Sequence, residues 1–151
     1  MDKVILKIMN AEELIALVIS SFESERQNDI KKGLELMTED FKMTDMMVAN
    51  DGKTLFPSTT AAEARKMIDD VYQIKDRKYR FINTTADVEK QIVMIEFIEW
   101  YPNPETGQMY CTPQVAICEV VGGKIRRTRH YMDPRTSFLP DVNDKLEEAL
   151  S

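Results

Sequence analysis

Apolar positions near the start of the chain recur every three or four residues. Leu14, Leu17, Val18 and Phe22 fall on one stripe, the period of an amphipathic helix. Asn10-Ala11-Glu12-Glu13 precedes it as a capping box: Asn10 is placed to accept from the first turn and Glu13 to return the bond. Glu23, Glu25 and Arg26 end the run in polar residues. Asn28-Asp29 then caps a shorter helix with Ile30, Leu34 and Met37 facing inward, so the two helices form an antiparallel or angled pair. From Phe41 the pattern becomes alternation. Asn50-Asp51-Gly52-Lys53 tolerates positive φ, which predicts two short strands joined by a hairpin. Thr60-Ala61-Ala62-Glu63 is a second capping box, opening a helix that buries Ala64, Met67, Ile68 and Val71 and ends near Ile74.

The rest of the chain reads as strands: Lys78 to Thr85, Gln91 to Tyr101, Met109 to Val121 and Lys124 to Asp133. Asp87-Val88-Glu89, Pro102 to Gly107 and Gly122-Gly123 join them, too short for a crossover helix, so the strands run antiparallel in one meander. Asp141 to Leu150 is a short amphipathic helix or a loose tail, with Val142, Leu146 and Leu150 as its apolar side. Helices first and a long curled sheet after is an α+β order. A curved antiparallel sheet wrapped on N-terminal helices encloses a pocket.

Composition narrows the class. The 151 residues fit a single domain, 1–151, and 43% hydrophobic with 30% charged residues is the balance of a globular chain. A net charge of −6 argues against nucleic-acid binding, and no apolar run is long enough for a membrane span or a signal segment, so a cytoplasmic protein is expected. Cys111 and Cys118 lie seven residues apart in one strand, on opposite faces and about 23 Å apart at ~3.3 Å per residue, and are read as free, buried thiols. One histidine and no CxxC leave no spacing for a metal site.

The segment Gly122-Gly123-Lys124-Ile125-Arg126-Arg127-Thr128-Arg129-His130-Tyr131-Met132-Asp133-Pro134-Arg135 resembles the last hairpin turn and strand of the nuclear transport factor 2-like superfamily. The order of helix, Glu39-Asp40-Phe41-Lys42-Met43-Thr44-Asp45 strand, capped third helix and four-strand meander is similar to its SnoaL-like members over almost the whole chain. The resemblance implies a cone-shaped cavity, a homodimer formed through the outer sheet face and, where chemistry occurs, no cofactor. Members include ketosteroid isomerase, limonene epoxide hydrolase, polyketide cyclases and a non-catalytic transport factor, so fold alone does not transfer function.

Resemblance also marks individual residues. Asp45 stands where the isomerase has its general base, while Phe22 and Val115 replace the two donors that hold its enolate. His130 stands where the epoxide hydrolase and the phenazine biosynthesis A/B proteins carry a carboxylate. Glu99 matches the hydrolase's second carboxylate, and Phe97 replaces the arginine between them. At its strand end, beside Trp100-Tyr101-Pro102, Glu99 is expected to emerge into solvent rather than stay buried.

Strand parity groups His130 with Arg126, Thr128 and Met132, so an anionic ligand reached by Arg126 is one reading of the basic last strand; a solvated outer face is the other. Phe97, Trp100, Tyr101 and Tyr110, with Met43, Met94 and Met132, offer soft and aromatic surface to an apolar ligand. The expected site therefore has Asp45 and His130 as base and acid, titrating in different ranges, with Phe22, Met43, Phe97, Glu99, Tyr110, Thr128 and Met132 lining the pocket. The rival expectation is a non-catalytic dimeric module whose outer sheet face binds another chain.

Overall fold

The computed structural model describes residues 7–49, 51–103, 105–133, 135 and 142–151. Asn50, Pro104, Pro134, Asp141 and the Val142 side chain, all named above, lie outside the described residues. Helix α1, Ala11–Arg26, opens on the capping box read from sequence: the Glu13 amide donates to Asn10 at 3.0 Å and the Asn10 amide to Glu13 at 2.9 Å. Helix α3, Ala61–Val71, opens the same way, with Thr60 and Glu63 exchanging bonds of 3.2 and 2.7 Å. Between them α2, Ile30–Glu35, is capped by Asp29. Gly33 in α2 sits against Tyr72, where a Cβ would fall 2.0 Å from the phenol oxygen. That oxygen lies 2.6 Å from Ser24 Oγ, so the bare glycine lets α2 close onto the α1–α3 junction.

Strand β1, Met37–Asp45, begins four residues before Phe41. The reason lies outside the segment: Leu36 O accepts from the Ile125 amide at 2.9 Å and Met37 pairs with Ile125, so neighbouring backbone takes Met37 out of the helix into which its spacing had placed it. The hairpin after β1 is held by the isolated bridges Thr44 to Ser58 and Val48 to Leu55, with the Ala49 amide donating to Thr54 O at 2.9 Å and the Phe56 amide to Met47 O at 3.1 Å. Asp51 accepts from the Lys53 and Thr54 amides, Phe56 has φ of 50° and Pro57 has no N–H, so the return leg does not become a regular strand.

Four strands follow as an antiparallel meander: β2 Lys78–Asp87, β3 Ile92–Pro102, β4 Met109–Val121 and β5 Lys124–Met132. β1 runs parallel to β5 at the far edge, giving a mixed sheet of order β1-β5-β4-β3-β2. One irregularity resets which residues face in. On β5, Ile125 pairs with Val120 and Arg127 with Glu119, leaving Arg126 as an extra residue in a bulge. Ile125 and Thr128 are thereby both buried, and Arg126 is exposed and paired with Asp40 at 3.3 Å. Arg126 thus leaves the face that parity assigned to it, and the anionic-ligand reading that rested on it is withdrawn.

The main core lies between the helices and the concave face, where Leu14 and Val18 meet Val93, Ile95, Ala116 and Cys118. A smaller cluster on the convex face, Ile98 with Cys111, is covered by Leu146 and Leu150 of helix α4, Val142–Leu150, so the last segment is helix rather than tail. The two cysteines are free, buried and on opposite faces. No helix among the described residues is long and apolar enough to cross a membrane.

Candidate functional site

Inward positions on the sheet change from apolar to polar along the strands. Near the α2 end they are Phe41, Ile125, Cys118 and Val93; toward the other end they are Asp45, His130, Gln114 and Glu99. The polar end lines a cavity of about 320 Å³, closed on its helical side by Phe22, Glu25, Met67 and Val71. A narrower apolar chamber of about 90 Å³ continues inward past Met43 and His130 to Val18, Met37 and Thr128. Space of this order, apolar with a few polar groups, is the usual form of a small-molecule site.

Of the residues singled out from sequence, Asp45, His130, Phe22, Met43, Phe97, Glu99 and Met132 all line the larger cavity, and Thr128 lines the inner chamber. Asp45 and His130 are direct partners across the parallel β1–β5 pair. Tyr110 lies apart: Asn103 bonds its hydroxyl and its ring stands edge-on to Tyr101, which itself lines the cavity. Met94 faces out, 43% exposed, because it alternates with the inward Val93 and Ile95. Trp100 likewise packs on the convex cluster.

Glu99 does not emerge into solvent. It is 8% exposed and ion-paired with Arg77, itself only 7% exposed. Arg77 comes from the link between α3 and β2, after Asp76 at a φ of 61°. Its guanidinium also faces Glu25 at 3.8 Å, donates to Tyr79 Oη at 3.3 Å and to the Val71 carbonyl at 3.4 Å, and lies 5.6 Å from the centre of the Tyr101 ring. Tyr79 Oη donates to Glu25 at 2.5 Å. An arginine thus does meet Glu99, from the link before β2 and not from β3 itself. Neither new member stands out in the sequence, since Glu25 follows Glu23 in a polar helix end and Arg77 stands in the charged run Lys75-Asp76-Arg77-Lys78.

Burial sets the electrostatics here. It raises the Glu25 carboxyl, an effect that Arg77 partly offsets. It raises the Tyr79 phenol well above its ordinary value, helped by Glu25 and Glu99. Burial alone would lower the Arg77 guanidinium, but Tyr79, Glu99 and Glu25 outweigh it and the group is held raised. The bonds that Arg77 makes to Tyr79 and the Val71 carbonyl, and Glu99 to Gln114, help to offset the cost of burying this pair.

A chain of hydrogen bonds leads from this cluster to the histidine. Gln114 Nε2 donates to Glu99 at 2.7 Å, because a carboxylate can only accept. That orientation turns Gln114 Oε1 toward His130 Nδ1 at 3.1 Å, so Nδ1 carries the proton and Nε2 keeps a lone pair. Burial pushes the imidazole down to about 4, so His130 is neutral near neutral pH. Asp45, half-buried, is raised by its own loss of solvent. The two groups therefore converge in their titration instead of separating as base and acid. Phe97 stands edge-on to the imidazole at 6.4 Å and close to Phe22 at 4.8 Å, fixing the apolar wall between the two polar groups.

Solved structures share this architecture. A Bacillus subtilis protein classed as an isomerase by inference matches with a TM-score of 0.69 at 20% identity, over 84% of this chain and 93% of its own. An LEH-like epoxide hydrolase from M. tuberculosis matches at 0.66 and 14% identity, over 93% and 97%. A Cytophaga hutchinsonii NTF2-like protein of unknown function matches at 0.61 and 14%, over 83% and 95%. No family model and no curated protein matches the chain. The helices, the open five-stranded sheet and these neighbours together give the chain the nuclear transport factor 2-like fold.

Proposed function

We propose that the cavity binds a small, largely apolar molecule and moves a proton on it without a cofactor, as an isomerase, cyclase or dehydratase does. The observation that carries this reading is the pairing of Asp45 and His130 on adjacent strands, both lining one cavity. Asp45 is the base that takes a proton from carbon, leaving the electron pair in an enolate. His130 begins neutral, with Nδ1 engaged by Gln114, takes that proton from Asp45 through Nε2 and returns it to carbon of the enolate, which leaves both side chains as they began. A raised carboxylate and a lowered imidazole exchange a proton at little energetic cost.

The test needs no knowledge of the natural substrate. Wild-type protein is expected to speed the exchange of deuterium from heavy water into the carbon beside the carbonyl of 2-tetralone, followed by proton NMR. Asp45→Asn and His130→Ala are each expected to slow it by about a hundredfold or more. Exchange no faster than in buffer, or unchanged in both variants, overturns the reading.

A second reading, that the chain acts as a homodimeric binding module, draws on the convex face. Met94, Val115 and Tyr131 are exposed there, with Val115 and Tyr131 directly paired. A dimer through this face gives a sedimentation mass of two chains that falls to one in Val115→Glu; a monomeric wild type overturns it.

A further inference from the structure

Four ionisable side chains from four segments meet beside the cavity: Glu25 of α1, Arg77 of the α3–β2 link, Tyr79 of β2 and Glu99 of β3. Two carboxyls face one guanidinium there, and they do not share it equally. Glu99 has both oxygens engaged, Oε1 by Arg77 Nη1 and Oε2 by Gln114 Nε2 at 2.7 Å. Glu25 has one oxygen engaged: Oε2 accepts from Tyr79 Oη at 2.5 Å. Its Oε1 makes no hydrogen bond among the described residues, and Arg77 Nη1 stands 3.8 Å away.

When two neighbouring carboxyls are held this differently, the one with more donors keeps the charge and the other keeps a proton. Glu99 is therefore the carboxylate and Glu25 the acid. Burial raises the Glu25 carboxyl more than Arg77 lowers it, which acts in the same sense. The other groups around Glu25 hold their protons too firmly to replace it. Arginine does not deprotonate, and the Tyr79 phenol, raised by burial, already points its proton at Glu25. Tyr72, at the C-terminal cap of α3, is pushed up to about 12 by burial.

Position gives this acid its use. The Glu25 side chain keeps 21% of its surface open and lines both the outer cavity and the inner chamber. It projects from helix α1, whereas Asp45 and His130 stand on the sheet, so a molecule between the layers meets the base on one side and this carboxyl on the other.

We infer that Glu25 is a catalytic acid: Oε1 carries a proton at the start and gives it to the substrate oxygen on which the enolate charge forms. This rests on the proton-transfer reading of the cavity and adds a third group to it. As Asp45 breaks the C–H bond, its electron pair forms a C=C bond, the C=O pair moves onto oxygen, and Glu25 protonates that oxygen to an enol. When His130 returns a proton to carbon, the enol O–H returns its own to Glu25, so every group ends as it began.

The experiment has two arms. Infrared spectra of wild type at neutral pH are expected to show a carboxylic-acid carbonyl stretch that moves to lower frequency when glutamate carboxyls carry heavy carbon. The band should vanish in Glu25→Gln and persist in Asp45→Asn. In deuterium exchange into 2-tetralone, Glu25→Gln is expected to lower kcat about a hundredfold with KM little changed, since an amide gives a hydrogen bond but no proton. Wild-type exchange should fall as rising pH ionises Glu25. Glu25→Gln should lose that alkaline limb and keep the acidic limb set by Asp45, and Glu25→Asp should regain part of the rate, with its limb displaced. Thermal unfolding checks that each variant is folded; if Glu25→Gln is not, the labelled wild-type band and the limb of Glu25→Asp decide.

A wild type without the glutamate band, a band that survives in Glu25→Gln, or an alkaline limb intact in that variant overturns the inference and leaves Asp45 and His130 as proposed. A wild type that exchanges no faster than buffer overturns the proton-transfer reading, and the catalytic role of Glu25 falls with it even where the band is present.

Discussion

Two ends of one concave surface obey different rules. At the inner end the strands present Phe41, Ile125, Cys118 and Val93 to the helices, four uncharged side chains of the main core. At the outer end the same strands present Asp45, His130, Gln114 and Glu99, and the helix and link opposite add Glu25 and Arg77. The inner end owes its stability to close packing, which is tolerant of changes in chemistry that preserve volume. The outer end is held by a connected polar network, where removal of one member leaves others buried and unpaired.

Arg77→Met is the sharpest way to break this contrast. It leaves Glu25 and Glu99 facing each other without their cation, and breaking a buried pair costs on the order of 3–5 kcal/mol. Urea unfolding should show a loss of that size, and adding Glu99→Gln to the variant should recover part of it. A loss within error would mean that the outer end is solvated and that the contrast is false.

The next effect is a pH dependence. His130 titrates near 6.5 in the unfolded chain and near 4 in the folded one, so as pH falls the unfolded chain binds its proton first. Its contribution to stability is intact above about pH 6.5 and is lost as pH falls toward 4, roughly 3 kcal/mol in all. The unfolding free energy of wild type and His130→Gln across this window should differ by that slope. Asp45 and Glu25, raised in the fold, act with the opposite sign and are common to both proteins.

Gln114→Leu tests the link between network and histidine with a smaller effect. It removes the acceptor at His130 Nδ1 and the donor to Glu99, at about 1–3 kcal/mol. Nitrogen NMR of the imidazole should then report a mixture of tautomers where wild type shows the Nδ1–H form. The smallest effect is expected outside both regions: Arg126→Ala removes an exposed pair with Asp40 and should leave the unfolding midpoint unmoved.

Much of the fold was legible because its signals are local. Both capping boxes, the four strands of the meander and their short turns are written in adjacent residues, and the opposite faces of Cys111 and Cys118 follow from alternation. Long-range pairing was not legible in the same way. Met37 reads as a helical position until β5 pairs with it, and nothing near Arg126 announces the bulge. At the site, Asp45, His130, Phe97 and Glu99 were marked by resemblance to relatives, with strand parity adding only the face that His130 shares with Thr128 and Met132, and Glu99 was expected in solvent. Glu25 and Arg77 were not, because each sits in a charged run indistinguishable from solvated surface. Their burial is created only where the end of α1, the link before β2 and the end of β3 converge.

The bulge at Arg126 has a consequence for how this chain tolerates deletions. The residue touches nothing in the cavity, yet it acts as a half-period phase shift in β5, keeping Ile125 in the packed core while Thr128, His130 and Met132 point to the cavity. Removal of that single position would leave Ile125 opposite Val120 and Arg127 opposite Glu119 in plain alternation, with Ile125 and the His130 set still on the inward face. The strand should therefore tolerate loss of this one position, whereas loss of a residue between Thr128 and His130 would turn the histidine away from the cavity.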